Sequence, residues 1–413
     1  MLHIWLLTAV SALYGIATGF VNAAAPQAAL KLNLSSRELG FVGAGVPGGY
    51  ALGCVLCGRL LDGVSGKRVL LSGAFCGALS LSIMAAARSS TVLVAAQILF
   101  GLASGAVWPF CSAWLLDFES ARIVPKSRLL RHYNVSWTGG TAMGMLSGGF
   151  TCDRGWVFES FVIAAGSALA ALMLTALAHA APKHASEPPA LADDGMAALG
   201  QETGRRDAGG TGAVRVTFAA LLAAALFNFV AIGTKIVIAV NYAELNKTLG
   251  EDAARMGLFM ATGLLCQLAS FGASKWYEPW LGTRRVYFAG ALALLAINAA
   301  FIFTAWLPLL LCAEALLGLV LAVAFHCTIA AFIARATSPR AGTTIFEATI
   351  GISGLAPLAA GALTNALKES GARTMLALQA PFYAGMILVA VTLVAQLVLI
   401  RKEREQRPTV QRN

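Results

Sequence analysis

Twelve apolar runs of roughly membrane-spanning length constrain this chain more than any other feature. They lie near residues 4–28, 39–58, 69–87, 92–115, 133–151, 156–178, 216–241, 255–274, 286–305, 307–333, 343–366 and 374–400. A run of about 20 apolar residues is what a helix needs to cross the hydrocarbon core of a bilayer. Of the 413 residues, 58% are hydrophobic and 12% charged, against about 25% charged in soluble domains. A water-soluble fold would have nowhere to hide that apolar surface, so the expected solvent is lipid. The net charge of +10 is spread between the apolar runs and forms no continuous patch, so no nucleic-acid partner is expected. Glycine is abundant, 42 residues, as it is where helices pack closely in lipid.

The first run resembles a signal peptide only in the small residues of "NAAAPQA". No basic residue precedes it, and Pro26 follows the alanines where it would hinder cleavage. It reads as a retained helix. Twelve spans place both termini on one side of the membrane. With that topology, 21 Lys and Arg fall in the segments on the side of the termini and 8 on the other, with Lys235 completing the 30. By the positive-inside rule both termini are expected in the cytoplasm. The chain reads as an integral multi-pass protein of a cell membrane, inner or plasma, and as a monomer.

The polar stretch "PKHASEPPALADDGMAALGQETGRRDAGGTG" interrupts the pattern and reads as a flexible cytoplasmic linker. The expected organisation is a six-helix half over residues 1–181, a linker over 182–215, a second six-helix half over 216–400 and a basic cytoplasmic tail over 401–413. Sliding the sequence by 217 residues lays "KRVLLSGA" on "RRVYFAGA". The same offset lays Gln97 and Gly101 on Glu314 and Gly318, and Ser11 and Thr18 on Asn228 and Lys235. The fifth and eleventh runs align better at 213. A constant offset over several runs is an internal repeat. Two six-helix halves in parallel repeat suggest a transporter with its site between them.

The loop after the second run reads "GRLLDGVSGKRVLL", residues 58–71. Gly58, Leu60, Asp62, Lys67 and Leu70 match the signature loop of the major facilitator superfamily, and the chain resembles that family. Gly63 stands where the family often has Arg, and Ser65 where it has Gly. The resemblance implies an all-α membrane fold of twelve transmembrane helices in two pseudo-symmetric halves. It also implies that Gly58, Asp62, Lys67 and Arg68 form a conformational gate loop on the cytoplasmic side. Two departures from the family's drug–proton exporters stand out. Gln97 occupies a position where they usually carry Arg, and Met145 replaces the Pro of their fifth-span glycine motif.

In that family the first, fourth, seventh and tenth spans line the central cavity. Ser11, Gly15, Thr18 and Asn22 share one face of the first helix, a stripe that suits either a wet cavity or close packing against a neighbour. Asn228 and Lys235, seven apart, share a face of the seventh. Ser11, Thr18, Asn22, Gln97, Asn228, Lys235 and Glu314 are therefore candidate cavity residues. Lysine costs about 2.5–3.5 kcal/mol at a helix centre on insertion scales. Lys235 then needs a partner, a wet cavity or a nearby interface to snorkel to. Counted along their helices at 1.5 Å per residue, Lys235 and Glu314 both lie roughly 10 Å from the outer end, which makes each the other's best relief. His326 and Glu347 form a deeper layer, roughly 13 and 10 Å from the inner end. Glu314, His326 and Glu347 are the candidates for proton coupling, with His326 and Glu347 alternatively two separately satisfied side chains.

No phosphate-binding loop of the G-x-x-x-x-G-K-[ST] type occurs, so ATP is not expected to drive this chain. No metal-ligand spacing stands out, and "CVLC" reads as two buried helical neighbours. No cofactor and no enzymatic activity are expected. The expected function is secondary active transport of a small polar or anionic solute by alternating access, coupled to protons. Two alternatives stand beside it: an exporter of hydrophobic or amphipathic compounds, and a non-transporting membrane sensor on a transporter fold.

Overall fold

The computed structural model describes residues 2–60, 64–120, 126–178, 218–248, 253–277, 280–281, 283–335 and 339–406. Among these it forms fourteen helices. The first half holds α1 (Leu2–Lys31), α2 (Ser36–Leu60), α3 (Gly66–Ala85), α4 (Ser90–Ser120), α5 (Lys126–Asp153) and α6 (Val157–Leu177). The second holds α7 (Phe218–Thr248), α8 (Ala253–Gly272), the one-turn α9 (Ser274–Tyr277), α10 (Arg284–Phe303), α11 (Leu307–Arg335), α12 (Pro339–Ser353), α13 (Ala356–Glu369) and α14 (Thr374–Gln406). The joining segment, the Asp62 position and the last residues of the tail lie outside the described residues.

Eleven segments are long and apolar enough to cross a membrane, with α12 and the following α13 counting as one. The remaining long helix is α5. It is 28 residues long but too polar to stand out by hydropathy, and it is packed between α1 and α8. Twelve spans result. The eleventh is broken at Gly354, and Pro357 follows three residues later. Proline removes a backbone donor and crowds the preceding turn, which explains why α12 does not run on as one rod.

The repeat seen in the sequence is also a repeat of helix boundaries. Adding 217 to the first residues of α2 and α4 gives 253 and 307, where α8 and α11 begin. Adding 213 to the start of α5 gives 339, where α12 begins. Corresponding turns agree as well. Gly155 and Gly371 both take a positive φ, 82° and 84°. After each, the next amide reaches back five residues, Trp156 N–H to Thr151 and Ala372 N–H to Leu367. That left-handed helix ending favours glycine.

Lipid tails are as apolar as the helices, so helix association rests on close packing rather than on exclusion of water. Small residues provide it. On α5, a Cβ added to Gly144 would meet the Ile16 carbonyl of α1. On α4, one added to Gly101 would meet the Val46 carbonyl and come within 2.7 Å of the Tyr50 nitrogen of α2. Each half builds most of one buried core, with Val240 joining the first-half cluster and Ala142 and Met145 the second-half one. The halves meet through α5 against α8 and through α2 against α12 and α13. Exposed tryptophans mark both rims: Trp5, Trp276 and Trp280 at the end where α1 begins, and Trp156 and Trp306 at the opposite end. Tryptophan gathers at membrane–water interfaces, and this chain is an integral multi-pass membrane protein. The rim at which α1 begins is called the near end below, and the opposite rim the far end.

Candidate functional site: a cavity between the halves

A cavity of about 300 Å³ lies between the two halves, lined from α1, α2, α4, α5, α7, α8, α11 and α12. Thr18, Asn22, Gln97, Asn228, Lys235 and Glu347 are among its lining residues. Ser11, Glu314 and His326 are not.

Lys235 sits deeper than its position in the apolar run implies. The seventh helix does not stop with the apolar run at residue 241 but continues to Thr248, so Lys235 has 13 residues of helix beyond it, about 20 Å. A lysine side chain does not reach a rim over that distance, and the cavity it lines is the relief the fold offers. Among the described residues no hydrogen bond or ion pair engages Lys235. Glu314 is the charge that acts on it electrostatically, and the reverse holds too, but the two do not close into an ion pair. Glu314 is fully buried against Gly263 of α8, with Oε1 placed 2.5 Å and Cδ 3.0 Å from where a Cβ on that glycine would be. Neither of its oxygens has a hydrogen-bond partner among the described residues. Equal depth along two helices does not bring two side chains together, because each points where the rotation of its own helix sends it.

The level of each group follows from contacts across the cavity. A Cβ on Gly354 would come within 3.1 Å of Ile236 Cδ1, and one on Gly233 lies 3.6 Å from the Ser353 carbonyl. Lys235 is therefore level with the break between α12 and α13. Glu347 lies two turns below it, about 10 Å nearer the near end. Asn228, two turns before Lys235 on α7, falls at the level of Glu347. Both polar atoms of the Asn228 side chain lack partners among the described residues, as does Oε1 of Gln97.

Glu347 is the best-held charge in the cavity. Tyr50, on α2 of the other half, donates a hydrogen bond of 2.7 Å to its Oε2. Oε1 has no partner among the described residues. Tyr133 and Cys54 lie within electrostatic reach of the same carboxylate. Beside it the wall is aromatic. Ring centroids of Trp108 and Tyr133 are 6.3 Å apart, those of Trp108 and Trp137 6.3 Å, and those of Trp137 and Phe325 6.4 Å. Sequence reasoning missed Tyr50 and this wall. The available signal was the spacing Gly43, Pro47, Tyr50, which puts all three on one face of α2.

His326 takes no part in this layer. Its Nδ1 meets the Tyr277 hydroxyl of α9 at 2.6 Å, and its ring packs on Phe271. The neighbouring Phe325 faces the cavity instead. The two members of the expected His–Glu layer are thus engaged by different partners, Tyr277 for His326 and Tyr50 for Glu347. Ser11 is fully buried, with no partner for its hydroxyl among the described residues.

The signature loop is described only in part. Gly58 lies in the last turns of α2, and Asp62 lies outside the described residues. Ser65 caps α3, its hydroxyl accepting from the Arg68 amide. Lys67 donates to the carbonyls of Ala176 and Ala178 at 2.6 and 2.7 Å, a cation closing a helix C-terminus. Those bonds tie α3 to α6 within one half, and Arg68 is exposed. An ion-paired contact between halves lies at the far end. There Lys368 forms an ion pair with Glu244 and donates to Ser36 at 2.9 Å, while Ser36 donates to Glu244 at 3.0 Å. All eight cysteines are free, and no metal-binding cluster occurs among the described residues.

Among solved structures the fold is similar to the nucleoside transporter NupG, with a TM-score of 0.71, 12% identity, and 97% of this chain and 99% of that one covered. It is similar to a bacterial homologue of the human lysosomal transporter Spinster in an inward-facing and occupied conformation, with a TM-score of 0.70, 14% identity and 98% of each chain covered. It is also similar to the tetrameric PepTSo2, with a TM-score of 0.69, 14% identity, and 97% and 98% covered. At these identities the likeness shows the fold alone. No curated protein matches by sequence. A family model described as Major Facilitator Superfamily matches residues 7–356. That match takes in the first half and carries on through the second as far as the start of α13, so the chain belongs to the Major Facilitator Superfamily.

Proposed function

We propose that the chain is a secondary active transporter of a small polar solute bearing an anionic group, working by alternating access and coupled to protons. The observation that carries this reading is the cavity between the halves, with an unpaired lysine midway along a membrane helix. Intramembrane charge is rare and marks solute or proton pathways. Lys235 is the anchor for the anionic group. Glu347 is the proton site, and because Tyr50 holds it from the opposite half, its protonation is tied to the contact between halves. Both termini are cytoplasmic in this reading, on the strength of the basic-residue asymmetry.

Counterflow in proteoliposomes tests it. Solutes that raise the melting temperature of the purified protein are loaded inside, and uptake of the labelled solute is followed. Exchange that disappears in Lys235→Ala supports the reading. Binding without exchange would make the chain a sensor on a transporter fold. The aromatic wall favours one rival, an exporter of amphipathic compounds, for which exchange would be indifferent to Lys235→Ala. Orientation is tested separately. A membrane-impermeant thiol reagent in intact cells should label a cysteine at position 248 and spare one at 200.

A further inference from the structure

Resting on the reading of the cavity as the solute site, we propose that the layer around Glu347 binds a cationic head group. The transported solute is then a zwitterion whose anionic end meets Lys235.

Three observations carry this. Glu347 lines the cavity with one oxygen held by Tyr50 and the other without a partner among the described residues. Trp108, Tyr133, Trp137 and Phe325 form one continuous aromatic surface at its side, with neighbouring rings inclined at 73°, 63° and 38°. Ring faces attract organic cations, tryptophan most strongly, and the attraction grows when water is excluded. Lys235 is the only basic residue lining the cavity among the described residues, and it stands about 10 Å further along the helix axis toward the far end. Among the described residues, therefore, no protein cation neutralises Glu347.

The alternatives leave charges unmatched. A plain anion satisfies Lys235 and meets an uncompensated carboxylate further in. A neutral sugar or heterocycle can stack on the rings but answers neither charge. A zwitterion of suitable length answers both, and Asn228, level with Glu347, offers an amide with no partner of its own among the described residues.

The test uses the purified full chain in lipid nanodiscs and three related probes: 6-(trimethylammonio)hexanoate, hexyltrimethylammonium and heptanoate. Affinity is read from melting-temperature shifts, which follow RT ln(1 + [L]/Kd), and from quenching of tryptophan fluorescence. The zwitterion should bind most tightly and the ammonium probe more weakly, both with quenching, while heptanoate binds weakest. Glu347→Gln should weaken both ammonium probes about tenfold and leave heptanoate unchanged. Trp137→Leu should weaken the same two probes, and Trp137→Phe should retain most of their binding. This pair decides the matter if Glu347→Gln does not fold. Lys235→Met should weaken the zwitterion and heptanoate but not the ammonium probe. Failure of both ammonium probes to shift or quench overturns the head-group site. Heptanoate binding at least as tightly as the zwitterion, with dependence on Lys235, also overturns it while leaving the transport of an anion standing. Counterflow decides transport independently of either result.

Discussion

The two halves share a framework and divide the chemistry. At the common offset, Ser11, Thr18 and Gln97 of the first half correspond to Asn228, Lys235 and Glu314 of the second. At the offset of the fifth span, Asn134 corresponds to Glu347. Where the first half carries a neutral group, the second carries a charge in three cases of four. The local surroundings of the pairs remain alike. Gln97 Oε1 lies 2.9 Å from a Cβ on Gly45 of α2, and Glu314 is lodged against Gly263 of α8 in the same manner. Asn134 accepts a bond from Trp137 in its own helix at 3.2 Å, whereas Glu347 accepts from Tyr50 in the other half. A repeat sets where helices lie and which faces they turn inward. Departures from the repeat decide what those faces do: Lys235 and Glu347 line the cavity, and Tyr50 of the other half holds Glu347, whereas Glu314 is buried with neither relief.

Copying first-half residues into the second half breaks this comparison. The largest effect is expected from Lys235→Thr, which makes α7 resemble α1. Losing one partner of a desolvated charge contact costs about 2–5 kcal/mol, so affinity for an anionic ligand should fall by more than about tenfold and counterflow should vanish. Unchanged affinity by thermal shift would show that the charge is not the anchor.

Glu347→Asn, copying Asn134, comes next. It removes a hydrogen bond to a charged group, worth roughly 1.5–3 kcal/mol, between the halves. Proton-driven uptake should be lost, read with a pH-sensitive dye in the liposomes, while some solute exchange remains. Intact proton movement in this variant would exclude Glu347 from coupling.

Glu314→Gln, copying Gln97, should act in the opposite direction. A buried carboxylate with no hydrogen-bond partner is exchanged for a neutral amide of the same shape, which is less costly to bury, and the melting temperature should rise. A lower melting temperature would mean that Lys235 and Glu314 support each other despite the gap between them. A double-mutant cycle with Lys235→Ala measures that term directly.

The smallest effect is expected from Glu244→Gln. Gln27 is the repeat partner of Glu244 and makes its own contact with the other half, its amide 3.3 Å from Met256 Sδ. The Glu244–Lys368 pair is partly exposed, 19% and 29%. Its loss should therefore cost no more than about 1 kcal/mol. Even so, reactivity of a cavity cysteine toward a reagent applied at the far end should rise, because Glu244 and Lys368 hold the halves together there. Unaltered reactivity would show that backbone packing alone keeps that end shut.

Much of this was legible in one dimension. Apolar run length located twelve spans, the fifth included over 133–151, although that helix is the most polar of them and begins earlier, at Lys126. The repeat offset anticipated where α8, α11 and α12 begin. These signals are local or periodic, and a chain confined to lipid leaves little freedom in how they are realised. The apolar run of the seventh span ends at residue 241, yet the helix runs on to Thr248 and presents Glu244 to Ser36.

Sequence by itself determined the helices, their order, their pseudo-symmetry and the short roster of intramembrane polar residues. Only the tertiary structure decided which of those residues meet. Tyr50 and Glu347 are 297 positions apart, and Ser36 and Lys368 are 332 apart. Lys235 and Glu314, matched in depth by counting, are left without a direct bond, and His326 turns to Tyr277 instead of Glu347. The physical reason is rotational. Spacing along a helix fixes which residues share a face, but the azimuth of that face about the helix axis is set by packing against neighbours. Here that packing runs through backbone contacts at glycines such as Gly101 and Gly144, and only the assembled bundle contains it.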